Sequence, residues 1–420
     1  MRTLTLPYLA GMTPPDWDAS IRIDALDPVA GDEPADLVAM TAMTQRAPRA
    51  YQIAEKFRRR GIPVVLGGAH VDLLPEEGER HADAVAVGEV EAIWPDILRD
   101  AEEGTLRSRY QAPALPAMAN LARPRFDLIK NARYYTLLWP VQTTRGCPYR
   151  CNYCTVTTIY GAKYRHRPVE EVVEDIKAIR KHTRYIFFVD DNLTPDKAYA
   201  TELFEALIPL DISWSAQMTL RFAEDEKLLR LAARSGFQMV VSGIENANEE
   251  NLSSVNKSFN KPKRYRELLR RYRKNGVIVL AGMILGFDTE TEDTIAQNLR
   301  FMLDEKLQII SLYLLTPFPG TPIFEQLEHE GRLLTKDWSR YDSYSCVYRP
   351  KHLTPERLTE MYWDVCRKVT TVPAILRRFT PPPLPRARTF IPDAIAGGLV
   401  FMNNLVLFRR DARRGVPPQV

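Results

Sequence analysis

Cysteine is absent from the first 146 residues, and only five cysteines occur in all 420. So few thiols exclude a disulfide framework and point to a reducing compartment. No apolar run reaches the roughly 18 residues that a membrane-spanning helix needs. The N-terminus has no basic start followed by an apolar stretch, so no secretory signal is expected. Net charge is only +4 over the whole chain. That is too little to give an electrostatic argument for nucleic acid as a partner. These absences leave a cytoplasmic protein as the expectation.

What is present is an ordinary globular composition, 45% hydrophobic and 26% charged. The length exceeds one hydrophobic core, so two or three domains are expected. Three of the five cysteines, Cys147, Cys151 and Cys154, fall within Arg145-Gly-Cys-Pro-Tyr-Arg-Cys-Asn-Tyr-Cys154. Thiolates are the ligands of iron–sulfur clusters. Three of them on a four-iron cube leave one iron open to another ligand. A structural zinc ion is the alternative, but zinc wants four ligands, and the nearest histidine, His166, lies beyond a basic stretch. Buried thiols without a metal are the third reading.

Ahead of that loop, Ile21–Asp24, Asp36–Thr41, Val64–Leu66 and Ala84–Val87 read as buried parallel strands. Arg46 to Arg60 has helical periodicity and stops at Gly61. Strand–helix alternation predicts an open, doubly wound α/β sheet of Rossmann or flavodoxin type, which binds ligands at the carboxyl ends of its strands. The residues there include Thr41, Thr44, Gln45, Gly67, Gly68, His70, Gly88, Glu89 and Glu91. Residues 1–105 form this domain, and the proline-bearing stretch 106–135 reads as a linker.

Alternation resumes in 136–325. Strands are expected at Tyr185–Val189, Trp214–Met218, Met239–Ser242, Val277–Ala281 and Ile309–Leu315, with helices at Glu170–Lys181 and Glu224–Ser235. About six β/α repeats fit a partial (β/α)6 barrel with its site at the carboxyl ends of the strands. The proline-rich Leu315–Pro322 segment reads as a stiff loop at the barrel mouth. Residues 326–420 are expected to be mostly helical, with a helix from about Thr354 to Val369. The aromatic stretch Trp338–Tyr348 lines either a substrate pocket or a core patch. Cys346 and Cys366 read as inert buried thiols.

The cysteine spacing, with the aromatic Tyr153 before the last thiol, resembles the signature of the radical S-adenosylmethionine (SAM) superfamily. Leu6-Pro-Tyr-Leu-Ala10, Leu66-Gly-Gly-Ala-His70, Leu74-Pro-Glu76 and Val87-Gly-Glu89 resemble the cobalamin-binding domain that precedes the barrel in one subclass. The resemblance implies a 4Fe-4S cluster, SAM and cobalamin as cofactors. It implies SAM contacts from Tyr153, from Asp190, Asp191 and Asn192 after the second barrel strand, and from Gln217, Arg221, Glu245, Gly282 and Gly286. Two departures stand out. A strand expected before Leu4 is missing, and there is no D-x-H-x-x-G whose histidine would ligate cobalt. His70 is therefore expected to hydrogen-bond at the pocket rim, not to bind cobalt.

The activity implied is radical C-methylation of an unactivated carbon. The alternatives are cyclisation, rearrangement or oxidation on the same scaffold, and a non-catalytic regulator that binds cobalamin or a cluster. The implied partners are a small-molecule substrate, such as a lipid or natural-product intermediate, and a flavodoxin or ferredoxin-type reductant. The C-terminal tail, with apolar Ala394–Phe408 between arginines, can reach a membrane surface or dock as a helix.

Overall fold

The computed structural model describes residues 3–129 and 138–378. By packing, the chain divides into two compact units. The first runs to Ile212 and includes Pro317–Gln326 and Lys336–Tyr341. The second holds Ser213–Thr316, Leu327–Thr335 and the described residues from Asp342 onward. This division cuts between barrel strands, while the sequence divides the chain by motif at 105, 135 and 325.

The first unit opens with a helix, Thr5–Met12, and then builds a parallel sheet from β1 (Val38–Thr41), β2 (Val64–Gly67), β3 (Ala84–Val87) and β4 (Arg109–Gln111), in that order. Both faces of the sheet are covered. Val64, Leu66 and Val85 pack with Ile53 and Phe57 of helix Ala47–Arg58, whose buried residues recur at helical spacing. Val65, Ala84 and Ala86 point the other way, onto Trp94 and Ile97 of helix Trp94–Glu102. Such double coverage is why these strands read as continuous apolar runs.

Ile21–Asp24 does not form the expected strand. Only Ile21 bridges, to Ile129, because the chain turns at once. Leu26 and Asp27 N–H both donate to the Ile23 carbonyl, and Asp24 is taken by Arg49 at 2.8 Å and by the Val29 amide. The linker in turn contains β4, which the sequence did not signal.

The same unit continues with β5 (Trp139–Val141), the short antiparallel pair β6 (Thr144–Arg145) and β7 (Arg165–His166), and β8 (Tyr185–Phe188), which pairs with β5. The second unit carries β9 (Ser213–Gln217), β10 (Phe237–Glu245), β11 (Ile278–Leu285) and β12 (Ile309–Leu314), joined in parallel in that order. Several of its helices are amphipathic and capped. Asp225 caps Glu226–Arg234, which buries Leu228, Leu229 and Ala232, and Thr291 starts Glu292–Asp304 with a capping box. Thr354 caps Pro355–Val369. The six β/α strands expected of the barrel are present.

Tyr341, Cys346 and Tyr348 are fully buried, so the aromatic stretch belongs largely to the core, and Tyr344 alone among its tyrosines is half-buried. Among the described residues no helix is long and apolar enough to cross a membrane. The basic-flanked tail, 384–420, lies outside the described residues.

Candidate active site

The cysteine loop is an excursion closed at its neck. β6 enters it and β7 leaves it, with Arg145 directly opposite Arg165. Gly146 follows at φ +86, and a Cβ there would collide with the Lys163 carbonyl. Only glycine meets both demands. Cys151 is buried, and Cys147 and Cys154 are half-exposed. Cys154 N–H donates to the Cys151 carbonyl at 3.1 Å, which folds the last two thiols into one turn. Helix Thr155–Tyr160 then runs to Gly161.

The donor set fits a cube cluster better than a single ion. Three thiolates on one short loop fall short of the four ligands that a structural zinc takes. A cube instead takes each thiolate on a different iron. Asn192 adds to the fit: its Nδ2 lies 4.0 Å from Cys147 Sγ, while its buried Oδ1 has no hydrogen-bond partner.

Asp190 and Asp191 were expected to grip SAM. Their carboxylates instead serve the loop. Asp190 is fully buried and accepts Thr143 N–H at 2.7 Å, Thr144 N–H at 2.5 Å and the Thr143 hydroxyl at 2.9 Å. Burial raises its pKa to about 7, against the pull of those bonds. Asp191 accepts Gly146 N–H at 3.1 Å, and burial raises its pKa as well. The physical reason is local: the loop neck exposes amides that need acceptors, and the end of β8 supplies them.

The remaining expected SAM residues, Tyr153 apart, lie in the second unit. Along β11, Val279, Ala281, Met283 and Leu285 are buried, and the alternate residues are half-exposed. On that open face the register aligns Gly243, Gly282 and Ser311 in one row. Gly282 therefore sits mid-strand, not at a strand end. Glu245 adopts φ +64 and folds its carboxylate back over Gly243, where a Cβ would collide with it. Lys257 Nζ donates to Glu245 Oε1 at 2.8 Å, and both side chains are nearly buried. Gly286, at φ +107, donates its N–H to Glu290, and its carbonyl accepts the Tyr348 hydroxyl. Glu290 also takes Asn246 at 3.0 Å and Asn298 at 3.1 Å, and burial pushes its pKa to about 7. Gln217 ends β9, and Arg221 is partly exposed and paired with Glu224. Lys257 and Glu290 stand in no motif and carry no signal in the sequence, whereas Tyr348 belongs to the aromatic stretch Trp338–Tyr348.

At the carboxyl ends of β1 to β3 lies a cavity of about 950 Å³. Thr41, Met43, Gly68, Asp72, Gly88 and Tyr160 are among its lining residues. Gly68, at φ +90, presses against Thr41, where a Cβ would collide. Gly88, at φ +81, has open space where its Cβ would be, and its N–H donates to Asp72 at 2.7 Å. Burial, countered by that bond and reinforced by Glu89, raises the Asp72 pKa to about 7. Glu91 Oε2 is buried and has no hydrogen-bond partner. Open glycine, an orphaned acceptor and the cavity's size fit a corrin held against the backbone.

Four expected cofactor contacts are placed elsewhere. His70 is fully buried, with Nε2 3.3 Å from Glu77 Oε1 and the Tyr51 and Trp338 rings around it, so it is not at the rim. Thr44 and Gln45 turn into helix Ala47–Arg58 and do not line the cavity. Glu89 does line it, but two arginines occupy its carboxylate. Gly67 packs on Ala86 within the sheet.

The family model of the B12 binding domain matches residues 8–98, and that of the Radical SAM superfamily matches residues 141–302. The bacteriochlorophyllide d C-12(1)-methyltransferase of Chlorobaculum tepidum is 32% identical over 357 residues, 83% of this chain and 78% of that protein. The chain belongs to the cobalamin-dependent radical SAM family. Within that family the hopanoid C-2 methylase of Rhodopseudomonas palustris is 25% identical over 391 residues, 89% of this chain and 72% of its own length. Among solved structures, the radical SAM methyltransferase TsrM of Kitasatospora setae, with cobalamin and a [4Fe-4S] cluster bound, aligns at TM-score 0.66 and 18% identity over 84% of this chain and 82% of TsrM. The family's cofactors are a 4Fe-4S cluster, SAM and cobalamin, and this chain's relatives include C-methyltransferases and anaerobic magnesium-protoporphyrin IX monomethyl ester cyclases.

Proposed function

We propose that this enzyme methylates an unactivated carbon of a large, mainly apolar small molecule, with a cyclic tetrapyrrole as the leading substrate class. The observation that carries the reading is a shared wall. Arg145, at the neck of the cysteine loop, and Tyr160, at the end of the helix after it, both line the cavity at the ends of β1 to β3.

Cys147, Cys151 and Cys154 would hold the cluster, and the Gly68 and Gly88 backbone would back the corrin. When bound, these groups supply reductive cleavage of SAM and carriage of a methyl group. The chain's own residues orient and exclude water. Asp190 and Asp191 fix the loop neck. Tyr160, its pKa pushed up to about 12 chiefly by burial and then by the Asp191 charge, stays protonated and acts as a donor at the cavity wall. Glu245 and Lys257 present a paired charge over the small-residue row, where the polar end of SAM would be read. The tetrapyrrole reading is supported by the relative at 32% identity. A lipid is the runner-up, supported by the hopanoid relative and by the basic-flanked 384–420 segment, through which we also propose peripheral membrane contact.

The test is anaerobic reconstitution with cluster, cobalamin, SAM and reductant, offering a bacteriochlorophyllide and a hopanoid in parallel. A methylated tetrapyrrole with 5′-deoxyadenosine is the expected result. Methylated hopanoid alone would move the assignment to lipids, and a cyclised or oxidised product without methylation would overturn the methyltransferase reading. Vesicle co-sedimentation with and without 384–420 tests the membrane contact.

A further inference from the structure

Arg145 and Arg165 face each other across an antiparallel ladder, where like charges repel. Neither can turn to solvent, because their side chains are only 8% and 10% exposed. Glu89 resolves the conflict. Its Oε2 accepts both Arg145 and Arg165 Nη1, the latter at 3.0 Å, and its Oε1 takes the second nitrogen of Arg165. Glu91 completes the set: its Oε1 accepts Arg145 at 2.6 Å and the Tyr8 hydroxyl at 2.9 Å. Two carboxylates and two guanidinium groups balance only when all four are in place, since a buried charge without its partner is strongly disfavoured.

The neck that Glu89 bridges carries Gly146 and Cys147 immediately after Arg145. Glu89 itself follows Gly88, whose backbone opens into the cavity. We propose that Glu89 and Arg145 are positioning residues through which a ligand seated against Gly88 sets the geometry of the cysteine loop, so that cobalamin occupancy is registered at the iron–sulfur cluster. The inference rests on the cavity being the cobalamin site. The coupling is mechanical: a ligand that fixes the Gly88–Glu89 backbone fixes the bridge between the two arginines, and the bridge holds the neck closed. Without the ligand, the same segment is free to shift and the neck loosens with it.

The test uses full-length protein with its cluster reconstituted, with and without hydroxocobalamin. Cobalamin uptake is read from the visible spectrum, the reduced cluster from its electron paramagnetic resonance, and loop closure from the rate of iron loss to a chelator. Bound cobalamin is expected to slow iron loss several-fold and to shift the cluster signal. Glu89→Gln should bind cobalamin yet lose both responses, because a neutral amide leaves two buried guanidinium charges short of one carboxylate and turns an NH2 donor toward one arginine where an oxygen now accepts. Glu91→Gln, which leaves Glu89 on both arginines but removes one of the two balancing charges, should show a reduced response; it serves if Glu89→Gln does not fold, and an undiminished response in it overturns the inference. A wild type that binds cobalamin while its iron loss and cluster signal stay unchanged overturns this inference and leaves the cofactor reading standing. Full responses in Glu89→Gln overturn it equally. A wild type that takes up no cobalamin overturns the reading of the cavity, and this inference with it.

Discussion

Asp190 accepts the backbone amides of both Thr143 and Thr144, at 2.7 and 2.5 Å, and so bends the chain into the cysteine loop. Replacing it with alanine strands two buried N–H groups, each worth about 1–3 kcal/mol when unsatisfied. Asp190→Ala should therefore lose roughly 2–6 kcal/mol of stability and most of its reconstituted iron. Denaturant unfolding and iron content check both. Asp190→Ala protein with full iron content would show that the loop holds its shape without this acceptor.

The carboxyl of Asp72 keeps its proton up to about pH 7 in the folded protein, mainly because it is buried. In the unfolded chain it ionises near pH 4. The folded state thus binds more protons between those values, and this group's contribution to stability falls as pH rises through about 7. Asp72→Asn, which keeps an acceptor for Gly88 N–H, should match wild type at acid pH. At pH 8 it should be more stable by about 1–4 kcal/mol. Urea midpoints at pH 5 and pH 8 decide it, and an equal offset at both values would contradict the burial argument.

Cys154→Ala should lose the cluster and the reductive cleavage of SAM, because two thiolates cannot hold a cube with one iron open. Cys346→Ala and Cys366→Ala should keep both. The Cys346 thiol donates to the Tyr348 carbonyl at 3.2 Å, and burial pushes the Cys366 thiol up to about 12. Iron content and 5′-deoxyadenosine formation separate the two sets.

His70→Ala should leave the spectrum of bound cobalamin unchanged, since the imidazole is buried against Glu77 and away from the cavity lining. Glu77 would lose one of the donors (His70, Trp338 and Tyr51) that, against the cost of burial, hold its carboxyl down to about 2. With the space left behind, stability should fall by about 2–4 kcal/mol. A change in axial ligation on this substitution would return His70 to the cofactor.

Strands β2, β3, β8 and β12 were legible because each is a short apolar run ending in small or polar residues. The cysteine triad was legible because its spacing is rare. Side-chain roles were much less so. Asp190, Asp191, Glu89 and His70 each stand where a ligand contact is expected, yet their atoms are taken by partners at least seven residues away in sequence: Thr143, Gly146, Arg145 and Glu77. A motif fixes which residue sits at a strand end. It does not fix whether a backbone amide, an arginine or a cofactor claims the side chain. Ile21–Asp24 failed for a related reason, since Asp24 carries the turn through its pairing with Arg49.

The indole of Trp338 donates to Glu77 across 261 residues of sequence, and Ile323 N–H donates to the Asn152 carbonyl in the cysteine loop. The N-terminal unit is therefore not finished until long after its own strands have been synthesised. Contacts so distant close late and slowly. During translation, the nascent sheet and the cysteine loop should wait in a partly assembled state until the stretch to Tyr341 arrives. Cofactor insertion into this protein is then a late event in its biogenesis, and a fragment ending at Ile212 should be a client for chaperones, not a miniature of the enzyme.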